Sequence, residues 1–219
     1  MFTAVIFDMD GVLLDSEQWM LTSTEAFLNR SNIRLPREEL LKLTGTTEEV
    51  YYNTLSVYMK MTPQECAEAR KKYTEANPMP YGKLAIPGAR DFVSWVISQG
   101  YIVGLATSDN KERTEEKFRQ LDLEGFFPVF ITEEMVEHNK PHPEAYLKVA
   151  KLLGVEPRNC LVIEDSAVGI AAGLAAGMEV AARRNASVPQ DISQATYQFT
   201  NYTEVKKILI NDKRKEGAI

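Results

Sequence analysis

The chain has 219 residues, 44% of them hydrophobic and 26% charged, with a formal net charge of −6. That balance supports a sizeable buried core and argues against disorder, while the acidic excess argues against a nucleic-acid partner, whose affinity comes from lysines and arginines set against phosphates. Cys66 and Cys160 form no CxxC pattern, and no apolar stretch approaches the ~20 residues of a membrane span, so a cytoplasmic globular protein with no membrane partner is expected.

Taken in chain order, Ala4–Phe7 is a short apolar run of the kind that forms a strand buried on both faces. From Ser16 to Tyr81 the pattern turns helical, with Glu17–Ser31, Pro36–Leu43, Thr47–Met59 and Pro63–Ala76 following one another and no convincing strand between them. Pro36 and Pro63 sit where a first helical turn accepts proline. Asn77–Gly82 reads as a hinge or linker. Thereafter strands at Ile102–Ala106, Val129–Ile131, Leu161–Ile163 and Met178–Ala182 alternate with helical patterns at Ala89–Ser98, Pro143–Leu153 and Ala167–Ala176. Gly100, Gly154 and Gly177 follow those three helices, as expected where a helix closes through a left-handed residue. The alternation predicts an α/β fold: a Rossmann-like parallel sheet with helices on both faces, formed by residues 1–15 and 82–219, and a small α-helical domain inserted at 16–81.

In an open parallel sheet, ligands gather beyond the carboxyl ends of the strands. Asp8-Met9-Asp10-Gly11 follows the first strand, Thr107-Ser108-Asp109 the second, and Glu164-Asp165-Ser166 the fourth. Lys140 stands in Asn139-Lys140-Pro141-His142-Pro143, after the third strand. Plainer readings exist for each: Asp-Gly as a turn, Glu164–Ser166 as a helix cap. A turn, however, does not explain Asp8 at the end of a buried strand. His138 and His142 read as structural or solvent-facing. Gly169, Gly173 and Gly177 have the wrong spacing for a nucleotide fingerprint, and close helix packing is their expected use.

Asp8-Met9-Asp10-Gly11, Thr107, Lys140 and Glu164-Asp165, in that order, resemble the four motifs of the haloacid dehalogenase-like hydrolases. The closest subgroup holds β-phosphoglucomutase and small sugar-phosphate phosphatases, and the likeness spans nearly the whole chain. It implies Asp8 as nucleophile and Asp10 as acid and base. It implies Thr107, Ser108 and Lys140 as phosphate-binding groups, and Mg²⁺ held by Asp8, the Asp10 carbonyl, Asp165 and Glu164, the last directly or through water. The helical insert would then be a cap that selects the substrate, with Gly45 and Trp19 as possible contacts.

Chemically, a carboxylate nucleophile divides one hard displacement into two easier ones. Four carboxylates need a divalent ion, a lysine and a protonated Asp10 before a phosphate dianion meets no net negative charge. Mutases of the subgroup usually have arginine where this chain has Glu48, and histidine near Met20. The expectation is therefore a monomeric Mg²⁺-dependent phosphatase acting on a small phosphorylated metabolite, by resemblance a sugar phosphate. The alternatives are mutase-like transfer and a non-catalytic phosphate-binding protein.

Overall fold

The computed structural model describes residues 1–44, 46 and 48–216, with the side chains of 214–216 outside that description. The chain divides into two compact units: Met1–Asp15 together with the chain from Tyr81 onward, and Ser16–Pro80.

The first unit is built on six strands: β1 (Ala4–Phe7), β2 (Ile102–Ala106), β3 (Val129–Ile131), β4 (Cys160–Glu164), β5 (Glu179–Arg183) and β6 (Tyr197–Phe199). They form one sheet in the order β3-β2-β1-β4-β5-β6, and each neighbouring pair is parallel. The sequence order reverses at β1, which places a switch point between β1 and its neighbours. In-register pairing sets Phe7 beside Leu105 on one side and Ile163 on the other. The three chain segments that follow these strands therefore leave the sheet at one edge. Every residue of β1 and β4 is buried, which is why β1, and β4 as far as Ile163, are continuous apolar runs rather than alternating ones.

The chain's later helices, α5 (Ala89–Ser98), α6 (Lys111–Gln120), α7 (Glu144–Leu153), α8 (Ala167–Ala175) and α9 (Tyr202–Glu216), belong to this unit. Gly100, Gly154 and Gly177 all have positive φ, as the helix ends require. On β2, Gly104 admits α7: a Cβ there would lie 2.5 Å from Val149 Cγ1. Likewise, a Cβ on Gly173 of α8 would lie 2.8 Å from Val180 Cγ2. Three elements go beyond the sequence reading. Helices α6 and α9 are not among the predicted elements, and α6 is mostly charged, with Phe118 as its one apolar residue. Strand β6 is only three residues long, too short for a periodicity to register.

The second unit holds α1 (Ser16–Arg30), α2 (Arg37–Leu41), α3 (Glu48–Met59) and α4 (Pro63–Ala76). A capping box starts α4: Thr62 accepts from the Glu65 backbone N–H while Glu65 reaches back to the Thr62 N–H. Its small core includes Leu21, Phe27, Leu28, Leu55 and Cys66. Arg70 is buried there, donating to the Ser23 hydroxyl at 3.0 Å and lying against the Phe27 and Tyr73 rings.

The two chain segments flanking this insert are joined within the sheet unit. The Asp15 N–H donates to the Leu84 carbonyl at 2.8 Å, and the Ile86 N–H to the Leu13 carbonyl at 3.0 Å.

Candidate active site

The Asp8 backbone N–H donates to the Ile163 carbonyl at 2.9 Å, so β4 fixes the point at which β1 ends. Asp8 is therefore presented from a rigid strand end, 8% exposed. The loop after it turns at Gly11, whose φ is 71°. Glycine is required for a second reason: a Cβ there would lie 1.6 Å from Asp165 Oδ2. The first and fourth motifs thus meet through the missing side chain of Gly11. Arg183 donates to the Gly11 carbonyl at 2.9 Å and the Tyr202 hydroxyl to the Val12 carbonyl, bracing this loop from β5 and α9.

Lys140 is the hub of the site. Its Nζ donates to Asp8 Oδ1 at 2.7 Å, Glu164 Oε1 at 2.8 Å and the Ala106 carbonyl at 3.1 Å. These contacts come from β1, β4 and β2 respectively, so one ammonium ties three strand ends. Its side chain is only 5% exposed. Burial works against its charge, but the Asp8 and Glu164 carboxylates outweigh that and hold the amine well above the usual lysine range.

Glu164 is fully buried and satisfied on both oxygens. Oε1 accepts from Lys140 and from the Tyr146 hydroxyl at 2.8 Å. Oε2 accepts from the backbone N–H groups of Asp165 at 2.9 Å and Ser166 at 3.0 Å, and from the Ser166 hydroxyl at 3.0 Å. Burial alone would raise this carboxyl, but Lys140 and the two N–H groups turn the shift downward. Gly169 makes room for the arrangement, since a Cβ there would lie 1.6 Å from Glu164 Oε1. Ser166 also caps α8, accepting from the Gly169 N–H at 3.1 Å. The cap reading and the site reading of this segment therefore hold together.

A second cation, Lys117 of α6, lies beside Asp10. It donates to Asp10 Oδ1 at 2.7 Å and Oδ2 at 2.6 Å, and also to Asp109. The Lys117 side chain is 5% exposed. Burial disfavours its charge, yet Asp10 and Asp109 together raise its pKa. Burial, then Asp10, raises Asp109. Thr107 is buried, and its hydroxyl accepts from the Asp109 N–H at 3.1 Å. Ser108 is exposed beside it. Lys117 and Tyr146 were missed in the sequence. Lys117 hides in a charged helix, and Tyr146 counts as an apolar position of α7 until its hydroxyl is seen to bond Glu164.

Asp8, Glu164 and Asp165 each offer an oxygen, all within 4.8 Å of one another. A Mg²⁺ octahedron with bonds of about 2.1 Å spans about 4.2 Å between opposite ligands. The oxygen-only donor set suits that ion. With Asp109 and Lys117 added, five carboxylates face two lysines, a formal excess of three negative charges. In the cation-free site, burial pushes the Asp8 carboxyl up to about 8, with Glu164 and Asp10 adding to the rise and Lys140 opposing it. A divalent cation held among these carboxylates would relieve this conflict. Among the other residues named from the sequence, Trp19 is half-buried on α1, and Gly45 lies outside the described residues.

Residues 5–183 match the family model for haloacid dehalogenase-like hydrolases, and the chain belongs to that family. It is an enzyme of the phosphatase kind within it. It is 32% identical over 187 residues to a phosphorylated carbohydrates phosphatase from Thermotoga maritima, covering 80% of this chain and 82% of that one. Among solved structures, a HAD family hydrolase from Deinococcus radiodurans with bound phosphate and sodium superposes with a TM-score of 0.82 at 25% identity, covering 96% of both chains. A Thermotoga maritima chain described as a candidate β-phosphoglucomutase gives a TM-score of 0.78 at 26% identity, covering 96% of this chain and 99% of that one.

Proposed function

We propose that this chain is a Mg²⁺-dependent phosphatase of small phosphorylated carbohydrates, working through an aspartyl-phosphate on Asp8. The observation that carries the reading is Lys140, whose one ammonium joins Asp8 to Glu164 at 2.7 and 2.8 Å. The substrate class is suggested by the phosphorylated carbohydrates phosphatase of Thermotoga maritima.

In this reading an Asp8 oxygen attacks phosphorus in line as the ester P–O bond breaks. Asp10 delivers a proton to the departing alkoxide oxygen. Asp10 then takes a proton from water, whose oxygen attacks the aspartyl-phosphate, releasing inorganic phosphate and restoring Asp8. Lys140 stabilises charge on the transferring group, and the Thr107 hydroxyl with the Ser108 N–H holds its oxygens. Asp8, the Asp10 carbonyl and Asp165 would ligate Mg²⁺ directly. Glu164, its oxygens already accepting five hydrogen bonds, would act through a water and keep Lys140 in place. The bound cation supplies neutralising charge that lets a dianion approach the carboxylates. Residues 16–80 serve as the cap that selects the leaving group.

Asp8→Asn tests the reading: turnover should fall by at least about 10⁴-fold with unchanged circular dichroism. Phosphate release that persists in the variant, or in excess EDTA, would rule it out. The second reading, β-phosphoglucomutase-like transfer, is favoured by the 0.78 TM-score to the Thermotoga chain. Supplying β-glucose 1-phosphate with a trace of the bisphosphate separates the two: glucose 6-phosphate supports transfer, free phosphate supports hydrolysis.

A further inference from the structure

The chain contains two histidines, and both stand on the loop that carries Lys140. The sequence suggests structural or solvent-facing roles for them. The structure brings them together: the rings of His138 and His142 lie 4.6 Å apart between centroids, tilted by 35°. Glu144, the first residue of α7, completes the group. Its Oε2 is 3.2 Å from His138 Nδ1 and 4.0 Å from His142 Nδ1. One ligand atom from each of the three residues falls within 4.8 Å of the other two.

We propose that His138, His142 and Glu144 form a second metal site, one that takes a borderline-soft divalent ion of the Zn²⁺ class and spans the Lys140 loop. Two imidazole nitrogens and one carboxylate oxygen are a donor set suited to Zn²⁺, whereas the all-oxygen site at Asp8 suits Mg²⁺. A tetrahedron with bonds of about 2.0–2.1 Å has edges of about 3.3 Å. The two separations from Glu144 Oε2 bracket that value, so small side-chain rotations would close the site.

Glu144 is already fixed for the task. Lys148 donates to Oε1 at 2.7 Å, and the backbone N–H groups of Glu137 and His138 donate at 3.0 Å each. The imidazoles are 62% and 50% exposed, which leaves a fourth position open to water.

The plainer reading is that Glu144 merely caps this turn. That accounts for its backbone bonds and for His138, but not for His142, whose Nδ1 is too far from the carboxylate to hydrogen-bond. Lys140 lies midway between the two histidines, so an ion held by both would tie together the ends of the segment that presents it.

The test is a Zn²⁺ titration of the whole protein in saturating Mg²⁺, followed through the imidazole signals in the NMR spectrum. With two histidines in the chain, each signal is assignable by single substitution. Both should shift together and saturate at one equivalent of Zn²⁺. His138→Ala and His142→Ala should each weaken binding by at least about tenfold, and amide exchange across 137–144 should slow in the Zn²⁺-bound wild type. Asp8→Asn should bind Zn²⁺ as the wild type does. Imidazole signals that stay in place, His142→Ala binding at wild-type strength, or loss of the site in Asp8→Asn would each overturn the proposal.

Discussion

Every residue of β1 and β4 is buried, whereas α3 buries only Leu55, and α4 only Cys66 and Arg70. The strands of the sheet unit hold their chemical groups at fixed points, because the backbone beneath Asp8 and Glu164 is bonded and packed on both sides. In the helical unit much of the surface of α3 and α4 faces outward, and a buried arginine relies on ring faces and the Ser23 hydroxyl. Fewer buried apolar contacts mean lower local stability. Side chains held at fixed points and an outward-facing helical surface are thus carried by different kinds of scaffold.

The largest way to break this comparison is at Lys140. Lys140→Met should lower kcat by about 10²–10³-fold, as loss of a preorganised charge on a transition state does. A loss under tenfold would mean the strand-end hub is not part of the chemistry. In the other unit, Leu55→Ala should cost about 2–5 kcal/mol. Hydrogen exchange should accelerate across residues 16–80 while the amides of β1 and β4 keep their protection. Uniform acceleration over both units would show that they do not differ in this way.

A pH experiment sharpens the account of the sheet edge. Asp8 has a folded pKa of about 8, above its ordinary value. The unfolded chain therefore releases that proton first, and cation-free protein loses stability as pH rises from about 4 to 8. The lowered Glu164 acts in the opposite sense but only at acid pH, so it does not mask the slope above pH 5. Melting temperature in EDTA should fall between pH 5.5 and 8.5, and Asp8→Asn should flatten that fall. The smallest expected effect is Thr62→Ala, which removes the capping box of α4 and should cost about 1 kcal/mol in urea unfolding.

How much of this was legible depended on the kind of signal. Asp8, Asp10, Thr107, Glu164 and Asp165 could be picked out because they stand just beyond apolar runs, and parallel strands deliver their sequels to one edge; Lys140, on the loop well past β3, was legible only from its Lys-Pro-His-Pro setting and its place in the family's motif order. Lys117 could not, since α6 offers ten mostly charged residues and nothing in one dimension marks which of them turns inward. Tyr146 was visible only as an apolar helix position, because a hydroxyl partner eighteen residues away is a tertiary fact. The saturation of Glu164 depends on main-chain groups that every sequence possesses. Gly11 and Gly169 were legible as glycines, but the carboxylates that fill the space of their missing side chains were not.

The bonds from Asp15 to Leu84 and from Ile86 to Leu13 mean that the chain leaves and re-enters the sheet unit through a stitched doorway. Residues 16–80 form a closed excursion, and among the described residues none of it contributes a strand to the sheet. Such an excursion is a cassette: one set of helices can be exchanged for another at the same two seams without rewiring the scaffold. For the protein engineer, splicing at Asp15 and Tyr81 offers a way to exchange the helical unit while the strand ends of the sheet unit stay in place.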